Sequence, residues 1–173
     1  NLDLDSVEKL VKGLFGQIRN INAGGIYPKE PLFTDEQLPA TLISKSIKDV
    51  NQLSLTFPVP SLTEHYQSKP DRYITNILGH EGPGSLHAYL NEKGWIESLG
   101  AGSQSFDKNT SLIVINISMT NKGAERTDQI IGAVFQYIDF LREQPLSESL
   151  YDEQASLADL EFQFVESGSP MGI

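Results

Sequence analysis

The chain has no cysteine among its 173 residues, which excludes a disulfide framework, a thiolate zinc site and a cysteine nucleophile while leaving the redox compartment open. Basic side chains are scarce as well. Thirteen Lys and Arg stand against 23 Asp and Glu, for a net charge of −10 and a pI near 4.6. That balance excludes nucleic acid as a partner, because phosphate backbones are held by clustered cations. No apolar run approaches the roughly 20 residues that cross a bilayer, so no membrane partner is expected, and no signal peptide is visible. Opening on Asn1 rather than Met, the sequence reads as excised from something longer.

Other absences concern catalysis. The three histidines, His65, His80 and His87, contain no i, i+4 pair that would set two metal ligands on one helix face. There is no G-x-S-x-G nucleophile elbow and no G-x-x-x-x-G-K-[ST] phosphate loop. Acidic neighbours such as Asp152-Glu153 and Asp3/Asp5 read as solvated faces or helix N-terminal charges.

What is present is 39% hydrophobic residues, enough to bury a core in one domain or one domain and part of another. From Asp5 to Asn20, Val7, Leu10, Val11, Leu14, Phe15 and Ile18 make one helical stripe. Asn22 to Pro39 carries Gly24, Gly25, Pro28, Pro31 and Pro39 without a period and reads as a connector. Leu53, Leu55, Phe57 and Val59 alternate with polar residues and prolines, which predicts a half-buried strand at an edge or exit. Ser68 is the expected cap of a helix that buries Tyr73, Ile74, Ile77 and Leu78.

A second short helix starts at Ser85, packs Leu86, Tyr89 and Leu90, and stops at Gly94. Trp95 to Leu99 predicts a strand leading into Gly100-Ala101-Gly102-Ser103, and Leu112 to Met119 a central strand. Thr120 is the expected cap of the longest helix, with Ile130, Ile131, Val134, Phe135, Ile138 and Leu141 on its apolar face. A last helix from about Ser147 to Phe164 turns Leu150, Leu157, Ala158 and Phe162 inward. Helices and strands come in blocks, which predicts an α+β fold with helices on one face of a mostly antiparallel sheet.

The densest signal is Gly79-His80-Glu81-Gly82-Pro83-Gly84-Ser85-Leu86, followed by Gly94-Trp95. Its glycines and proline must end one helix, turn sharply and begin another. As residues alone, the turn is either a plain helix connector, the simpler reading, or part of a peptide cradle. In the second case the small-residue strand Leu99 to Ser103 offers open backbone to an added strand, and Glu81 meets an α-amino group.

Phe57-Pro58-Val59-Pro60, Tyr66, Ile77 to Leu86, Lys93-Gly94-Trp95 and Phe135-Gln136-Tyr137-Ile138 closely resemble the M16 zinc metallopeptidases, the inverzincins that include insulin-degrading enzyme and pitrilysin (protease III). The resemblance runs in collinear order from the first helix to about Phe164. It implies a LuxS/mitochondrial-processing-peptidase-like metallohydrolase fold, divided into residues 1–21, the C-terminal helix of a preceding domain; 22–39, a linker; and 40–173, a second, catalytically inactive domain incomplete at its C-terminus.

In such enzymes the zinc motif H-x-x-E-H lies in the first domain. Here Asn76-Ile77-Leu78-Gly79-His80 occupies the corresponding position, with Asn for the first His and Gly for the Glu, so no zinc and no catalysis are expected in this chain. The resemblance further implies that Gly79, Glu81, Leu99, Gly100, Ala101 and Gly102 form an exosite that anchors the amino-terminal end of a peptide substrate. Arg72, Asn76 and Ala101 depart from the family's exosite pattern and put preference at that end in doubt.

The expected function is therefore the substrate-binding portion of a zinc metalloendopeptidase that degrades small peptides. The alternative is a segment of an inactive companion subunit. Expected partners are peptides, the other domains of a parent chain and, through an exposed sheet edge, further copies. The compartment would be periplasmic for a bacterial pitrilysin-like parent and cytoplasmic otherwise.

Overall fold

The structure, a computed structural model, describes residues 3–24, 32–45, 47 and 50–165. The chain divides into two compact units, Asn1–Glu30 and Pro31–Ile173. The first holds helix α1, Leu4–Phe15, whose N-cap Asp3 accepts the Ser6 backbone N–H at 2.7 Å. That bond holds the exposed Asp3 carboxyl below its ordinary value. No residue of the α1 stripe is buried. Part of the predicted connector, residues 25–31, lies outside the described residues.

The second unit is built on a three-stranded antiparallel sheet in the order β1-β3-β2. Its strands are β1 (Asn51–Pro60), β2 (Ile96–Ser105) and β3 (Thr110–Met119). Strand β1 alternates half-buried and exposed residues along its whole length, so Leu53, Leu55 and Phe57 face the helices opposite Ile117, Ile115 and Ile113 of β3. The predicted central position of β3 and the antiparallel pairing both hold. One face is covered by helices α2 (Pro70–Gly79), α3 (Leu86–Glu92) and α5 (Thr127–Glu143).

Between sheet and helices lie Leu78, Leu86, Leu90, Ile96, Leu99, Ile115, Ile117, Ile130 and Val134, all nearly or wholly buried. Each contributes about 1.5–3 kcal/mol by leaving water. Phe57 meets Phe135 edge to face with centroids 6.0 Å apart, closing the β1 side of this layer.

Several local expectations differ. Helix α2 starts one residue later than a Ser68 cap implies, because Lys69 takes the N-cap position at φ 43° and ψ 55° and Pro70 opens the helix. Thr75, not Ile74, turns inward; its hydroxyl donates to the Asp71 carbonyl at 2.8 Å, so burial leaves no bond unmade. Thr120 caps a separate short helix, α4 (Asn121–Ala124), and the chain re-enters α5 only after Arg126. Helix α6 (Glu148–Gln163) has no buried residue, and Phe162 is 84% exposed. It leans chiefly on α2, too narrow a support to cover a full apolar stripe.

Candidate functional site

Helix α2 lies along β2 and ends against it. A Cβ placed on Gly79 would stand 3.2 Å from the Ala101 backbone nitrogen and 3.8 Å from its Cβ. Glycine there lets the helix end approach the strand more closely than a side chain allows. The chain then leaves through His80 in extended conformation. It turns at Gly84, φ 81°, in the left-handed region that favours glycine. Ser85 restarts it, its hydroxyl accepting the Ala88 N–H at 3.0 Å. Leu86 and Leu90 sink into the core, which fixes the turn from behind.

The approach of α2 to β2, with α6 as a third wall, leaves an open cavity of about 470 Å³. Gly79 and Glu81 from the turn and Gly100 and Ala101 from β2 all line it. Four of the six predicted site residues are thus brought together. Leu99 is 4% exposed, its side chain in the core, and it does not line the cavity. Gly102 is exposed but does not line the cavity.

Arg72 and Asn76, two of the three departures from the family pattern, stand on the same helix face and line it too. Sequence reasoning missed the α6 wall of Gln154, Leu157 and Glu161. Their i, i+3, i+7 spacing was the available signal, but the pairing of α6 with α2 is a tertiary fact.

The charges are unevenly placed. Arg72 is paired with Glu161 at 2.9 Å. Glu81 is exposed and makes no hydrogen bond or ion pair among the described residues. The cavity therefore offers one free carboxylate beside an unpaired strand edge.

Both outer strands of the sheet have free edges among the described residues, but they are not equivalent. Pro58 and Pro60 lie in β1, and a proline in a strand must turn its nitrogen to the unpaired side, so that edge lacks two donors. Strand β2 has no proline, and Gly100 and Gly102 carry no side chain that would hold another backbone away. Its edge is the one competent to add a strand.

A zinc ion does not fit these residues. Asn76 and Gly79 supply no imidazole or carboxylate, and no group of three His, Cys, Asp or Glu among the described residues could hold a metal.

Fold and site together define an α+β domain with a strand-edge cavity that carries an unpaired carboxylate. A family profile described as "Peptidase M16 inactive domain" matches residues 1–157, and the chain belongs to the M16 peptidase family. It is 35% identical over 170 residues to insulin-degrading enzyme of Homo sapiens, covering 98% of this chain and 17% of that one. It is 31% identical over 168 residues to the A-factor-processing enzyme of Saccharomyces cerevisiae, covering 97% and 16%. A crystal structure of pitrilysin matches with a TM-score of 0.84 and 26% identity, over 99% of this chain and 18% of pitrilysin. The chain therefore spans about one-sixth of the length of the relatives it matches.

Proposed function

We propose that this chain is the non-catalytic, substrate-binding portion of a zinc-dependent metalloendopeptidase that degrades small peptides. Its cavity holds the amino-terminal end of a peptide laid along β2 as an added strand. The observation that carries this reading is the convergence of Gly79, Glu81, Gly100 and Ala101 on one cavity at a proline-free strand edge. Backbone bonds to β2 supply affinity at about 0.5–1.5 kcal/mol each, and they read no sequence. Glu81 supplies the preference for a free ammonium group. The zinc and its general base belong to other parts of such an enzyme, since no group of three His, Cys, Asp or Glu among the described residues could hold the ion.

An exposed ion pair contributes about 0.2–1 kcal/mol, so a free-amine peptide should bind the chain about 1.4- to fivefold more tightly than its acetylated form. Glu81→Gln should erase that difference and leave the acetylated peptide's affinity unchanged. Equal loss for both peptides, measured by NMR titration, would refute the role given to Glu81.

A further inference from the structure

A second cavity, of about 290 Å³, lies farther along the same strand, between the start of α2, the segment Leu62–Tyr66 and the end of β2. Its lining reverses the sign of the first. His65, Lys69 and Arg72 border it together with the polar residues Ser103 and Ser105. The one acid there, Asp71, already accepts a hydrogen bond from the Ser103 hydroxyl. Lys69 makes no side-chain hydrogen bond or ion pair among the described residues. The two cavities share Arg72. One strand edge thus runs from a carboxylate at Glu81 to a lysine at Lys69, within a chain whose net charge is −10.

We propose that this second cavity is a specificity subsite that receives an acidic side chain of the bound peptide. The inference rests on the reading of β2 as the peptide's edge. If the amino end sits at Glu81 beside Ala101 and the peptide runs toward Ser105, parallel to β2, the subsite lies about three to five residues in, at about 3.3 Å per residue. Peptides with a free amino end and an acid at that spacing complement both charges at once.

The test uses the 173-residue chain and a neutral free-amine peptide scanned one position at a time with Gln→Glu, each peptide also made in acetylated form. Glu should improve binding about fivefold at one position about three to five residues from the amino end, the upper range for an exposed charge pair. Lys69→Gln, checked for unchanged folding by circular dichroism, should remove that gain and leave the acetylation penalty in place. High salt should shrink the gain.

An acetylation penalty with no position favouring Glu overturns the subsite and spares the reading of Glu81. A Glu preference without an acetylation penalty supports the subsite and refutes the role of Glu81. A preference that survives Lys69→Gln overturns the subsite, and no binding of any peptide overturns both.

Discussion

Two Gly→Ala substitutions in the helical part of the second unit should change stability in opposite directions. Gly123 is buried in α4 against the strand entry at Trp95. A Cβ there would overlap the Trp95 carbonyl oxygen outright and stand 2.8 Å from the carbonyl carbon. Those are backbone atoms. The Trp95 carbonyl also accepts the Thr120 N–H at 3.0 Å, and the Thr120 hydroxyl caps α4 at the Gly123 N–H, also at 3.0 Å, while donating to the Gly94 carbonyl at 2.8 Å.

Relief of the overlap must move this junction. Overpacking costs about 1–3 kcal/mol, a lost cap about 1 more, and the helix propensity of Ala returns about 1. A net loss of about 1–3 kcal/mol should lower Tm by about 2–12 °C in a chain of this size. A Cβ at Gly132, inside α5, meets nothing within 4 Å. Gly132→Ala should therefore add about 0.5–1 kcal/mol and raise Tm by a few degrees. Thermal unfolding of both variants by circular dichroism checks the pair. A Gly123→Ala chain as stable as the parent would refute the packing of α4 on Trp95.

Burial raises the Tyr137 phenol above its ordinary value of 10.0. A tyrosinate absorbance titration should show a late-ionising phase for Tyr137, and Tyr137→Phe should remove it. Because the raised pKa belongs to the folded state, this group's contribution to stability is complete below about pH 10 and fades as pH rises through the folded value. Ser85→Ala should cost about 1 kcal/mol through loss of the cap on the Ala88 N–H, measured as a lower denaturant midpoint.

Where a signal was local, the sequence carried it well. The alternation of Leu53, Leu55, Phe57 and Val59 marks β1 because a half-buried strand has a period of two, and its prolines mark it as an edge. Gly94 at φ 68° and the Ser85 cap are written in single residues. The residues alone offered Glu81 and Gly100 in one site as the lesser of two readings, which the resemblance to a family favoured, since α2 must first dock on β2 to join them.

Elsewhere the competing contacts were tertiary. Thr120 looks like the cap of a long helix, but the contact of Gly123 with Trp95 anchors a separate first turn. Leu157 and Phe162 fit an inward stripe, yet they are 46% and 84% exposed, because α6 packs chiefly on α2. The same lean makes Gln154, Leu157 and Glu161 a wall of the cavity.

The central claim is that β2, and not β1, takes a peptide as an added strand. Amide hydrogen exchange of the chain with and without a free-amine peptide in excess tests it directly. The account predicts slowed exchange for alternate amides between Leu99 and Ser103, those on the side of β2 away from β3, with no change along Asn51–Pro60. Unchanged exchange along β2 at a concentration where the peptide is bound, or protection confined to β1, would contradict it.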